Sequence, residues 1–79
     1  MAIRDEIRNY VSESMARGAS IKNNDSLFDS GVVDSLQIIE FVLYLEKQYG
    51  VRINASEVVR ENFDTVDAIA SLVESKKSA

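Results

Sequence analysis

The chain has 79 residues, a formal net charge of −4, and neither cysteine nor histidine. Disulfides and thiolate metal sites are thereby excluded, the usual general base and metal ligand are missing, and an acidic balance disfavours phosphate backbones. Apolar residues make up 46% of the chain, enough for one small core in a single domain spanning residues 1–79.

Residues 1–8 alternate charged and apolar side chains and contain no secretory hydrophobic stretch. No later run approaches the roughly 20 apolar residues of a membrane span, so a soluble cytoplasmic protein is expected. The first helix is predicted over about residues 2–17. Ile3, Ile7, Val11 and Met15 recur every four residues with Tyr10 beside them, forming one apolar stripe. Gly18 follows as a C-terminal cap.

Residues 18–34 have no periodicity. Connections this long in a compact domain tend to be functional or disordered. Ile21, Leu27, Phe28, Val32 and Val33 can pin this one to a core, so an ordered, packed loop is expected.

The second helix is predicted from residue 35 to about residue 49, before Gly50. Asp34 with Gln37 three residues on suits a capping box. Leu36, Ile39 and Leu43 form one stripe; Ile38, Val42, Leu45 and Tyr49 form its neighbour. Gln37, Glu40, Tyr44 and Lys47 are left for the wet side. Asn54 with Glu57 suits a second box, giving one short helical stretch from residue 55 to about residue 60. Asp64 or Thr65 caps the last helix, which runs to about residue 76 with Val66, Ile69, Ala70 and Val73 buried. The expected fold is all-α: three long helices and a short third one in a four-helix bundle.

Ser35 sits in the first turn of the central helix at the end of the long loop. A hydroxyl there is exposed, beside unpaired backbone N–H groups, and the positive helix end favours an attached phosphodiester by about 0.3–1 kcal/mol. Serine is also common at helix starts simply because it caps. Several landmarks in order give the position more meaning. Leu27-Phe28 and Gly31 precede Asp34-Ser35-Leu36, and Tyr49-Gly50-Val51-Arg52-Ile53 and Phe63-Asp64-Thr65-Val66 follow. Together they resemble the acyl carrier protein family over nearly the whole chain.

That resemblance implies a serine, Ser35, modified with 4′-phosphopantetheine from coenzyme A by a phosphopantetheinyl transferase. An acyl or aminoacyl group would then ride the arm as a thioester. Asp34 would present Ser35 to the transferase while also capping the helix. Leu36 would serve the recognition surface or pack in the core. The reactive thiol belongs to the prosthetic group, so no catalytic residue is needed and the chain is not expected to be an enzyme. Other implied partners are an acyl or aminoacyl ligase or acyltransferase and a downstream acceptor enzyme. Gln37, Glu40, Tyr44, Lys47, Val58 and Arg60 are the candidate contacts of a monomeric carrier.

Gln37, Lys47, Arg52 and Arg60 interrupt the acidic field that carriers of primary fatty acid synthesis share, which points to a specialised pathway. Val32-Val33 stands where peptide-synthetase carriers usually have paired glycines. The run from Leu27 to Leu36 looks closer to D-alanyl carriers and to small carriers of amino acids or unusual extender units. The alternative is a helical interaction module that is never modified. A twelve-residue calcium loop counted from Asn23 fails, since Leu27 and Phe28 fall where an oxygen ligand and glycine are required. No metal site is expected.

Overall fold

A computed structural model of the chain describes residues 2–78. All regular structure among them is helical: α1 (Ile3–Tyr10) continuing into a π-helical turn (Val11–Met15), α2 (Gln37–Tyr49), a 3₁₀ turn (Ala55–Glu57), α3 (Arg60–Phe63) and α4 (Val66–Ser78). The chain is thus an all-α helical bundle with a long loop before its central helix, the expected architecture. Helix α4 packs against α1, α2 and α3. Its Val66, Ile69, Ala70 and Val73 are fully buried, meeting Ile7 and Val11 from the first helix and Phe63 from α3.

The first helix ends earlier than its periodicity suggests. At Val11 the hydrogen bonding slips to a wider turn, with the Ala16 N–H on the Val11 carbonyl at 2.8 Å, and regular helix stops at Met15. Gly18 still closes the end. Its φ is +84°, and its N–H reaches back to the Ser12 carbonyl at 2.7 Å, satisfying a carbonyl the helix leaves open.

The long loop is ordered and packed as expected: Leu27 and Val33 are buried in the core, with Ile21, Phe28 and Val32 packed against it. In the second half of the fold Glu57 accepts the Asn54 N–H at 2.9 Å, completing the anticipated capping box. The single helical stretch expected over residues 55–60 is instead two pieces. Val59 is extended, with φ −128° and ψ 157°, so the backbone breaks between the 3₁₀ turn and α3. Branching at Cβ of both Val58 and Val59 favours that extended geometry. Thr65, rather than Asp64, caps α4, accepting the Ala68 N–H at 3.0 Å.

Helix α2 faces the other way from the reading that buries Leu36, Ile39 and Leu43. These three are 77%, 58% and 60% exposed, whereas Ile38, Phe41 and Leu45 are buried. With 3.6 residues per turn the two triplets lie on roughly opposite sides, and only one can meet a single core. Phe41 decides which. Its ring meets Phe63 edge-on at 6.2 Å and lies parallel to Tyr10 at 5.6 Å. Tyr44, expected on the wet side, is drawn partly inward and stacks on Tyr10 with centroids 3.6 Å apart. Burial and the neighbouring Tyr10 and Glu6 raise its phenol pKa above the usual value.

Candidate functional site

The loop and α2 meet at Asp34. Its carbonyl accepts the Ile38 N–H at 3.0 Å, and its Oδ1 accepts the N–H groups of Leu36 at 3.0 Å and Gln37 at 2.8 Å. Physically the helix therefore starts at Ser35, although regular α-geometry is reached only at Gln37. Among the described residues only the aspartate's half of the anticipated Asp34–Gln37 box is made.

Ser35 is exposed in this first turn, and its hydroxyl takes part in none of the described hydrogen bonds. One expectation is corrected here. The N–H groups of Leu36 and Gln37 are not unpaired, because Asp34 already occupies them. Those two amides are therefore not open to a phosphodiester on Ser35.

Beside Ser35 lies an exposed apolar surface made by Leu36, Ile39 and Leu43. Between α2 and the segment leading to α3 this surface dips into an apolar groove of about 260 Å³ lined by Ile39, Val42, Leu43, Ile53, Ala55 and Val58. Apolar patches of this kind on a small domain mark interaction surfaces. Phe41 and the exposed triplet are what sequence periodicity missed, since α2 is apolar on two opposite sides and periodicity cannot say which is wet.

The other anticipated contacts are scattered around this surface. Val58 is half-buried in the groove wall. Glu40 and Lys47 are exposed on α2, while Gln37 is half-buried, sharing a small notch with Tyr10, Ser14 and Glu40. Arg60 is already engaged within the molecule. It donates to Asp29 at 2.5 Å, lies 3.8 Å from Asp64, and sits over the Phe28 ring at 5.7 Å. The Arg60 hydrogen bond and charge hold the Asp29 carboxyl below its ordinary range.

Comparison with known proteins agrees with this geometry. Residues 5–73 match the family described as phosphopantetheine attachment site. Over 71 residues the chain is 31% identical to a D-alanyl carrier protein of Streptococcus suis (strain 05ZYH33), covering 90% of each. It is 29% identical over 79 residues to the D-alanyl carrier protein of Streptococcus sanguinis (strain SK36), covering 100% of each. One of Leuconostoc citreum (strain KM20) is 28% identical over 75 residues, covering 95% of this chain and 96% of the relative. Among solved structures, a chain from the crystal structure of an FAD-dependent dehydrogenase superposes with a TM-score of 0.76. It is 28% identical, and the match covers 85% of this chain and 97% of that one. Among the described residues no helix is long and apolar enough to cross a membrane.

Proposed function

The chain belongs to the phosphopantetheine attachment-site family, and we propose that Ser35 is the residue that bears its arm. A carrier protein with a 4′-phosphopantetheine group needs one exposed hydroxyl at a defined place, and Ser35 at the capped start of α2 supplies it. That exposure, with Asp34 fixing the turn, is the observation on which the assignment rests. Ser35 Oγ forms the new phosphodiester as the pyrophosphate bond of coenzyme A breaks. The adenosine bisphosphate leaves, and the hydroxyl proton passes to the transferase. Once bound, the group supplies the thiol that holds cargo as a thioester.

The protein's own contribution is to present that arm and to be recognised. The transferase, the loading ligase or acyltransferase and the acceptor meet a surface centred on Leu36, Ile39 and Leu43. Glu40 and Lys47 form its rim, and Val58 forms its far side. Charges of both signs border an apolar centre, so contact with partners depends more on shape and burial than on long-range steering. The molecule works as a cytoplasmic monomer, where coenzyme A and activated cargo are at hand.

The cargo that the relatives' names favour is D-alanine, loaded by an ATP-dependent ligase. Holo-protein incubated with D-alanine, ATP and a D-alanine ligase for carriers should gain one alanyl group, released by hydroxylamine. Failure to load D-alanine, with efficient loading of another acid, would replace the cargo while leaving the carrier role intact. The structural neighbour favours a second reading, in which the tethered cargo is presented to a flavin-dependent dehydrogenase. Reduction of such a flavin by loaded but not by unloaded holo-protein would support it.

A further inference from the structure

The long loop does not reach Ser35 unsupported. Residues 26–33 close on themselves: the Val33 N–H bonds the Leu27 carbonyl at 3.1 Å, as does the Ser30 hydroxyl at 3.2 Å, and the Ser30 N–H bonds the Ser26 carbonyl at 3.1 Å. This closed unit delivers Asp34 and Ser35 directly after Val33. Leu27 and Val33 anchor it in the core, and apart from the Arg60–Asp29 pair its described hydrogen bonds to the rest of the fold converge on one residue, 38 positions away from Ser26. Asp64 Oδ1 accepts the Ser26 hydroxyl at 2.8 Å and the Phe28 N–H at 3.2 Å, while its carbonyl accepts the Leu27 N–H at 2.6 Å.

Asp64 is also the C-cap of α3, its N–H on the Arg60 carbonyl at 2.8 Å. From there Arg60 reaches back over the same loop to Asp29 and the face of Phe28. The junction of α3 and α4 therefore holds the base of the loop from two sides. The segment carrying Val58 leads straight into α3, so the groove wall and the Ser35 loop are tied to one short helix.

We propose that Asp64, assisted by Arg60, is a positioning residue for modification of Ser35: by holding the loop that leads into α2, it fixes where the hydroxyl stands relative to the groove wall at Val58, on the α3 side. This rests on Ser35 being the attachment residue. A transferase docked across the groove, on Ile39 and Leu43 from one side and Val58 from the other, must find the hydroxyl at a set place, and small misplacements of a reacting atom cost rate steeply.

The carrier is the transferase's substrate, which separates positioning from stability. A partly unfolded carrier lowers the effective substrate concentration, raising the apparent KM and leaving kcat unchanged. A misplaced Ser35 lowers kcat. Asp64→Ala should lower kcat for transfer from coenzyme A by about tenfold, with faster amide exchange confined to the loop between Leu27 and Leu36. Asp64→Asn keeps the oxygen acceptor and should restore kcat to within about twofold of wild type. Thr65→Ala removes the cap of α4 without touching the loop and should raise KM only. Wild-type kcat in Asp64→Ala would overturn the proposal, as would equal kcat losses in Asp64→Ala and Thr65→Ala. Should Asp64→Ala fail to fold, Ser26→Ala carries the same test, with a smaller fall in kcat expected and an unchanged kcat overturning it. If wild type itself accepts no arm, the Ser35 assignment fails first. Loop amide exchange in Asp64→Ala then reads the tether by itself, and unchanged exchange would overturn that too.

Discussion

The Asp34 carboxylate accepts the Gln37 backbone N–H at 2.8 Å, spanning Ser35 and closing the first turn of the central helix over it. The same oxygen holds the Leu36 N–H. Removing it leaves two helix donors open to water. Asp34→Ala should therefore destabilise the fold by about 0.5–2 kcal/mol, and Asp34→Ser or Asp34→Asn by clearly less. Urea unfolding followed by circular dichroism measures the difference.

The two sides of α2 should respond oppositely to substitution. Leu36→Ala, Ile39→Ala and Leu43→Ala change exposed side chains and should shift stability by no more than about 0.5 kcal/mol. Each should weaken transfer or loading, most of all Leu36, which adjoins Ser35. Phe41→Ala empties the core and should cost about 3–5 kcal/mol. Paired thermal melts and loading assays check both halves of this statement.

Acid should loosen the fold through two carboxylates paired with cations, Glu57 with Lys76 and Asp29 with Arg60. Glu57 is held below its ordinary 4.5 by its hydrogen bond from Lys76, reinforced by the Asn54 N–H. Asp29 is held below its ordinary 3.8 by Arg60. A carboxylate with a lowered folded pKa contributes stability above its unfolded value and loses it as pH falls through the folded one. Tm should thus fall as pH drops below about 4.5. Glu57→Gln keeps an acceptor for the Asn54 N–H but not the charge, and it should flatten the fall. A pH series of thermal melts on the two proteins reads this directly.

Tyr49 joins the end of α2 to α1 by donating its hydroxyl to Glu6 at 2.8 Å. Burial, followed by that bond and the nearby charge, raises its phenol pKa well above the ordinary value. The proton stays on the oxygen throughout the neutral range, so the bond should not titrate there. Tyr49→Phe should cost about 0.5–1.5 kcal/mol, by the same amount at pH 6 and pH 8 in urea unfolding.

Much of the fold was legible because its outer helices are amphipathic in only one way. Ile7 and Val11 of the first helix, and Val66, Ile69, Ala70 and Val73 of the last, are buried where their spacing puts them. Asn54 with Glu57, and a cap at Asp64 or Thr65, were legible because capping chemistry is local; the choice of Thr65 was not. The orientation of α2 was not. Its apolar residues lie on two opposite sides, and which side is wet depends on contacts made by Phe41 with Phe63 and Tyr10, far away in sequence. The π-turn after Tyr10 and the break at Val59 are one-residue adjustments that periodicity does not resolve.

The site divides in the same manner. Asp34 and Ser35 were legible from local order, as a cap and a first-turn hydroxyl after a long loop. The tether from Asp64 to Ser26, Leu27 and Phe28 was not, since those residues meet only through the packing of α3 against the loop. Arg60, expected to greet a partner, is held by Asp29 because the same packing brings α3 over the loop.

The central claim is that Ser35 bears the arm, and intact mass tests it most directly. Purified protein and Ser35→Ala are each incubated with coenzyme A and a broad-specificity phosphopantetheinyl transferase. A gain of one phosphopantetheine by the wild type alone is the predicted result. An unchanged mass for folded wild-type protein with several transferases, or an equal gain by Ser35→Ala, would contradict it.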